Sequence, residues 1–369
     1  LFLRRISLRN FRNHTDTQLH FASNISVFTG GNGEGKTNIL EAVFYLTSGR
    51  SYRTARDSEL LRWGEDDFAV KAEVEQRGGK SLIEIYYSGA QNAKKIKVGG
   101  VEHKKLSDLI GKVNAVIFAP EDLYLIKGGP AERRRFLDFA ASQASPQYFF
   151  YLQKYHHVLQ QRNRLLKLIA MERSKPDALE VWDEQLVEYA DQVTNRRLRI
   201  MEAFQAILKP VHARLTDNGE AIRIDYLPSV EAGIGYAAGL RTKLKAARRD
   251  ELARGYTLHG PHRDDFVLTV NGVDARVYAS QGQQRTAVLS LKLAEVEFIR
   301  QEREEYPILL LDDVMSELDD RRRVFLLQYV ENRLQTLITS TNLNPFPGGG
   351  RTAELAVFRV AKGEVSCGV

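Results

Sequence analysis

Gly30-Gly31-Asn32-Gly33-Glu34-Gly35-Lys36-Thr37 is the stretch that decides the fold of this chain. Its spacing, a glycine, four residues, then Gly-Lys-Thr, is that of a phosphate-binding loop. It follows an apolar strand-type run, Ile25 to Thr29, and opens a helical run, Asn38 to Leu46. Glycines let the backbone wrap around phosphate oxygens, while successive N–H groups and the helix N-terminus supply partial positive charge. In such a loop Lys36 reaches the β- and γ-phosphates of ATP, and Thr37 places its hydroxyl on Mg²⁺. All eight residues, Gly30 to Thr37, are therefore expected to bind nucleotide.

A phosphate loop alone does not cleave its ligand. Ile308-Leu309-Leu310-Leu311-Asp312-Asp313 supplies the partner element. Four apolar residues predict a buried parallel-type strand with two acids at its C-terminal end, where α/β sheets bind ligands. Asp312 is expected to hold Mg²⁺ together with Thr37, and Asp313 to act as the general base that orients the attacking water. Lys36, Asp312 and Asp313 form the expected catalytic set. Lys36 and Asp312 stand 276 positions apart (312 − 36). Both serve one phosphate site, so the two ends of the chain build one sheet and the middle is an insertion.

The middle has the matching character. Leu152, Tyr155, Leu159, Arg162, Leu166 and Ile169 recur at alternating spacings of three and four, and so do Leu179 to Ile207 after a break at Lys175-Pro176. This predicts an antiparallel helical hairpin, closed by Pro210, whose second helix is about 45 Å long. Tyr236 to Arg254 predicts a third helix. Short alternating runs between Phe68 and Val98 predict an antiparallel set of strands. Asn271-Gly272 predicts a hairpin between Phe266–Val270 and Ala275–Tyr278, and Pro347-Gly348-Gly349-Gly350 reads as a loop. The expected domains are 1–120 with 255–369 for the ATPase part and 121–254 for the inserted helices.

Bulk composition narrows the function. The chain has 369 residues, 43% hydrophobic and 27% charged, the balance of an ordinary globular protein. No apolar run approaches the roughly 20 residues a membrane span needs. The first residues lack a signal-peptide pattern, and the one cysteine, Cys367, excludes an internal disulfide framework; a cytoplasmic location is expected. The net charge of +6 is compatible with nucleic acid without requiring it.

Further segments carry a family resemblance. Ser280-Gln281-Gly282-Gln283-Gln284, just before a helix, looks like the signature motif of ABC-type ATPases, and Ser316-Glu317-Leu318-Asp319 resembles their D-loop. Asn10-Phe11-Arg12-Asn13-His14 is similar to the opening of chromosome-associated ABC ATPases of the SMC and RecF kind. The RecF family in particular is resembled by Gly49-Arg50-Ser51-Tyr52-Arg53, Pro120-Glu121-Asp122, Gly128-Gly129-Pro130 with Arg133 to Asp138, and His259-Gly260-Pro261-His262-Arg263-Asp264-Asp265. The resemblance spans nearly the whole chain. It implies an α/β ABC-type P-loop ATPase head with an antiparallel β subdomain and an inserted helical domain.

The resemblance also implies a function. Arg12 and Asn13 contact nucleotide, and Ser280, Gly282 and Gln283 engage the γ-phosphate held by a second copy. ATP and Mg²⁺ are the cofactors. An ATP-dependent homodimer binds duplex or gapped DNA and hydrolyses ATP weakly. It works with a RecR-type recombination mediator to load recombinase, serves replication-fork maintenance and the SOS response, and associates with the nucleoid. Two departures stand out. Asp313 replaces the usual Glu, one methylene longer, which predicts slow hydrolysis. No histidine follows the strand at Thr336, and Thr341 stands where a γ-phosphate sensor is expected. A transporter motor is disfavoured because Ser280 lies 244 positions (280 − 36) after Lys36, far more than the hundred or so of that class.

Other charged groups read more plainly. His262, beside Arg263, Asp264 and Asp265, is expected to anchor a turn rather than to catalyse. Arg133 to Arg135 and the Arg241 to Arg249 helix are candidate DNA contacts, since Arg and Lys bind phosphates without reading bases, although a charge run is ordinarily a solvated helix face.

Overall fold

The computed structural model describes residues 1–230, 235–344, 346 and 355–367. The Pro347-Gly348-Gly349-Gly350 stretch lies outside the described residues. Packing divides the chain into two compact units, one of Leu1–Asp122 with Glu295–Val369 and one of Leu123–Ala294.

The first unit contains β1 (Phe2–Phe11), β2 (His14–His20), β3 (Ile25–Thr29), α1 (Lys36–Ser48), β4 (Asp67–Gln76), β5 (Gly79–Ser88), β6 (Ala93–Val98), β7 (Val101–His103) and β8 (Ala115–Phe118). The second holds α2 (Tyr124–Lys127), α3 (Pro130–Ala144), α4 (Pro146–Ala170), α5 (Leu179–Leu215), β9 (Ile222–Leu227), α6 (Tyr236–Arg254), β10 (Asp265–Val270), β11 (Val273–Asp274) and α7 (Ala275–Tyr278). Helix α8 (Gln281–Arg303) leads back to β12 (Ile308–Asp312), α9 (Val314–Glu317), α10 (Asp320–Val330), β13 (Thr336–Ser340), β14 (Leu355–Ala361) and β15 (Glu364–Cys367).

Two sheets build the first unit. One has the order β15-β14-β3-β13-β12-β8, parallel throughout except for β15. Its central strands are buried along nearly their whole length because both faces are covered, and β12 reads as a continuous apolar run, Ile308 to Leu311. Val27, Phe28, Leu310, Leu337 and Ile338 have no exposed surface, and neither do Ile39, Leu40 and Val43 of α1. Truncating one of these, for example Leu310→Ala, costs about 2–5 kcal/mol in lost burial plus a cavity. The other sheet, β2-β1-β4-β5-β6-β7, is antiparallel. It alternates as a one-faced sheet does, with Phe68, Val70 and Val74 inward and Lys71 and Glu73 outward. A register shift between Leu3 and Arg5 lets Leu3 and Ile6 share the buried face although they are three apart. The Gln335 amide then pairs with the Leu3 backbone in both directions, at 2.6 and 2.9 Å, as a strand neighbour would.

In the second unit α4 and α5 form the expected hairpin and pack with α3, α6 and the β11-β10-β9 sheet. Pro210 does not close the second helix, which spans 37 residues and runs on to Leu215. A proline removes one i→i−4 bond, and burial of Phe204, Ile207, Leu208 and His212 on both sides of it keeps the helix continuous. Asn271 and Gly272 take positive φ and turn the β10–β11 hairpin. Its return arm is only two residues long, because the Asp274 side chain accepts from Arg276 N and starts the helical turn α7 over Ala275–Tyr278. The packing boundary after Ala294 also differs from the expected one after residue 254. Residues 255–294 pack with the inserted helices, since Arg162 bonds Thr257, Arg197 bonds the Pro261 carbonyl and Arg133 bonds Asp265. Among the described residues, no helix is long and apolar enough to cross a membrane.

Candidate functional site

Strand order creates the site. In the parallel sheet β13 lies between β3 and β12, with Ser340 opposite Thr29 and Thr339 opposite Asp312. The loop that follows β3 and the acids that end β12 therefore open on the same edge, with β13 between them.

Gly30, Gly33 and Gly35 have φ of +154°, +82° and +112°, which side-chain-bearing residues avoid. A Cβ on Gly30 would lie 2.2 Å from the Val360 carbonyl, and one on Gly35 2.6 Å from the Asn13 amide oxygen. Gly31, Asn32 and Gly33 are exposed at the loop tip. Lys36 is buried, and its ammonium donates to the carbonyls of Gly30 (2.8 Å) and Gly31 (2.7 Å). Burial pulls Lys36 below its ordinary value, opposed by the nearby carboxylates of Asp313, Asp312 and Glu34. The loop backbone is held from outside as well. Glu34 O accepts from the Asn13 amide and from Gly363 N, both at 2.9 Å, and the Glu34 carboxylate accepts from Lys362 N.

Asp312 is the hub of hydroxyl bonds. Its Oδ1 accepts from Thr37 (2.7 Å) and Thr339 (2.8 Å), and its Oδ2 from Tyr52 (3.1 Å). Burial, with Asp312 and Glu41 nearby, pushes the Tyr52 phenol well above its ordinary value, so it stays a donor. Asp313 takes a left-handed φ of +53°, and its N–H donates to Thr339 Oγ1 at 2.8 Å. That conformation costs an aspartate roughly 1–2 kcal/mol, and strain held in place by fixed bonds is characteristic of functional positions.

Sequence reasoning missed several of these residues. Thr339, not Thr341, touches both acids; Thr341 lies exposed beyond the strand, accepting from the Asn342 amide at 3.4 Å. Thr339 is one of three hydroxyl residues in β13, Thr336-Leu337-Ile338-Thr339-Ser340, so the sequence alone did not single it out. Tyr52 stood in a quoted motif without a role. Arg12 points its fork at Glu41 of α1 (2.9 and 2.7 Å) and at the Glu59 carbonyl (2.7 Å). Glu41 is fully buried and also accepts from Arg53 and Ser51. Asn13 bonds loop backbone and Asn38, so both residues of the resembled opening motif brace the loop and its helix.

Ser280, Gly282 and Gln283 belong to the second unit. Ser280 Oγ accepts from Gln283 N at 3.2 Å, and Gln283 Oε1 accepts from Ser280 N at 2.9 Å. This reciprocal capping box satisfies two otherwise orphaned donors at the start of α8, and Ser280 and Gly282 remain exposed. Among the candidate DNA contacts, Arg133 is buried against Asp265, Arg134 donates to the Asp264 carbonyl, and Arg241 and Arg248 pair with Glu184 and Asp183. Arg135, Lys243, Lys245 and Arg249 are exposed. His262 anchors its turn as expected, between the Tyr155 hydroxyl (2.5 Å) and the Thr257 carbonyl (3.1 Å).

Comparison with known proteins agrees with this geometry. Residues 2–363 match the RecF/RecN/SMC N terminal domain model. The DNA replication and repair protein RecF of Halothermothrix orenii is 43% identical, with 99% of each chain covered. That of Acetivibrio thermocellus is 44% identical, over 94% of this chain and 95% of the relative. A solved structure of the recombination mediator protein RecF with ATP, in the RecFOR pathway, superposes with a TM-score of 0.92 at 36% identity, covering 100% of this chain and 98% of that one. With its phosphate loop, its paired acids and a full-length match, this chain belongs to the RecF family of DNA replication and repair proteins, built on an ABC-type ATPase head.

Proposed function

We propose that this protein is an ATP-dependent DNA-binding protein of recombinational repair and replication-fork maintenance, and a weak, DNA-dependent ATPase. The observation that carries the reading is the bond between Thr37 and Asp312, 275 residues apart in sequence, beside the Lys36 loop. Lys36 exchanges its two loop carbonyls for the β- and γ-phosphates. Thr37 and Asp312 suit Mg²⁺, which takes one or two protein oxygens and fills its remaining positions with phosphate oxygens and water. When bound, the ion neutralises charge on the phosphates. Asp313 takes the proton of the attacking water, and its short side chain keeps turnover slow.

Two copies sandwich two ATP molecules in this reading. The capping box uses a lone pair of the Ser280 hydroxyl and leaves its proton available to the γ-phosphate held by the other copy, together with the Gly282 N–H and Gln283. Arg135, Lys243, Lys245 and Arg249 supply exposed positive charge for duplex or gapped DNA. A RecR-type mediator is the expected protein partner in loading recombinase at single-strand gaps and supporting the SOS response, in the nucleoid-associated cytoplasm.

DNA binding measured with and without Mg-ATP, on single-stranded, duplex and gapped substrates at fixed salt, tests this. ATP-stimulated binding that Lys36→Met abolishes is the expected result. ATP-independent binding, or none, overturns it. Ser280→Arg should block ATP-induced dimerisation while single-copy ATP binding persists; an unchanged dimer rules out the sandwich.

A further inference from the structure

Gln283, in the first turn of α8, has a carboxamide engaged at both ends. Its Oε1 accepts from Ser280 N at 2.9 Å, and its Nε2 donates to Glu220 Oε1 at 3.1 Å. Glu220 lies 63 residues earlier, in the link between α5 and β9. That link is pinned on either side of it. Asn218 N donates to Ala213 O at 2.7 Å, and Gly219 N to Thr216 O at 2.9 Å. Ala221 and Asn271 bond reciprocally: Ala221 N donates to the Asn271 side-chain oxygen and Asn271 N to Ala221 O, both at 2.8 Å. The other carboxylate oxygen, Oε2, lies 3.4 Å from Nε2 of the buried His212 in α5. Glu220 is thus mounted on fixed backbone beside the signature run.

A carboxamide turns readily about its last torsion, which is broad and roughly two-fold. Its partners decide which end is oxygen. Turned over, Gln283 would set its NH₂ against the Ser280 N–H, donor to donor. Its oxygen would meet the Glu220 carboxylate, acceptor to acceptor. Ser280 N–H and Glu220 therefore select the same orientation. The amide nitrogen carries two N–H groups, so one serves Glu220 and the other is left for an anion. The reverse orientation would offer lone pairs there instead. The capping box at the start of α8 needs only Ser280 and Gln283. What Glu220 adds is direction.

We propose that Glu220 is a positioning residue for the signature run: it fixes the Gln283 carboxamide, so that nitrogen is presented to the γ-phosphate held by the other copy and oxygen holds the Ser280 backbone. It acts through Gln283 and does not itself touch the phosphate. The inference rests on the sandwich reading above.

The test compares native protein with Glu220→Ala and Glu220→Gln in the full chain. It reads the dimer dissociation constant at saturating Mg-ATP by sedimentation, the Kd for Mg-ATP at protein concentrations too low for dimers, and the melting temperature. Glu220→Ala should lose about threefold at each of the two sites, and so raise the dimer dissociation constant about tenfold. Glu220→Gln keeps an acceptor for the Gln283 N–H and should stay within about threefold of native. Single-copy ATP binding and melting temperature should be nearly unchanged in both. A native dimer constant in Glu220→Ala overturns the proposal. So does an equal loss in Ala and Gln, which assigns the effect to the charge of the carboxylate. A loss that follows a fall in melting temperature or in single-copy ATP binding also overturns it. If native protein forms no ATP-dependent dimer, the sandwich reading itself fails, and the positioning role fails with it.

Discussion

The phosphate-loop end of the first unit and the core of the second use the same kinds of residue in opposite ways. In the second unit Arg162 and Arg197 are almost completely buried. Arg162 donates to Asp183, Glu251 and Thr257, and Arg197 to Asp138, Tyr148 and the Pro261 carbonyl. Asp264 accepts from Ser229 N and the Tyr226 hydroxyl, and His262 is held on both ring nitrogens. Each of these charged or polar groups is answered by fixed protein partners. At the phosphate loop, by contrast, Lys36 rests on backbone carbonyls next to an exposed glycine-rich tip, and Asp312 binds three hydroxyls, where the buried arginines of the second unit bind carboxylates. The difference teaches that a charged motif marks a ligand site when its partners are exchangeable and a structural joint when they are not.

The strongest way to break that contrast is Arg197→Ala. It leaves Asp138 and Asp264 without their cation in a buried setting, and should destabilise the protein by about 3–5 kcal/mol in chemical denaturation. A loss below about 1 kcal/mol would show the network to be dispensable. Next comes pH. Burial, helped by the charges of Arg263, Arg134 and His156 and opposed by the Thr257 carbonyl, lowers His262 from 6.5 to about 4. As pH falls, the unfolded chain takes up this proton first. Stability present above pH 6.5 is therefore lost between 6.5 and about 4, by about 3 kcal/mol. His262→Gln should remove that component from a pH series of unfolding curves; an unchanged slope counts against the structural assignment.

Lys36→Met should do the reverse of Arg197→Ala, lowering ATP turnover by about a hundredfold or more while leaving the melting temperature nearly unchanged. A variant that loses stability but keeps turnover would put Lys36 on the structural side. The smallest expected effect is that of Ser280→Ala, which removes one side of the capping box and should cost about 1 kcal/mol. If ATP-induced dimerisation falls by more than that stability change explains, Ser280 joins the exchangeable set.

What the sequence by itself determined is local. Gly30 to Thr37 between a strand and a helix, the apolar run ending in Asp312-Asp313, the Ser280 cap and the heptad spacing of the two long helices were all legible. Each depends on neighbouring residues and their spacing. Tertiary structure alone decided the rest. That β13 pairs with β3, more than 300 residues away, and with β12 on its other side, where Thr339 meets both acids, follows from strand packing. That Arg12 turns to the buried Glu41, that His14 joins Gly35 to Gly363, and that residues 255–294 pack with the inserted helices follow in the same way. A buried polar group takes whichever partner the fold brings within reach, because leaving it unpaired costs more than any local preference. That partner is recorded in no single stretch of sequence.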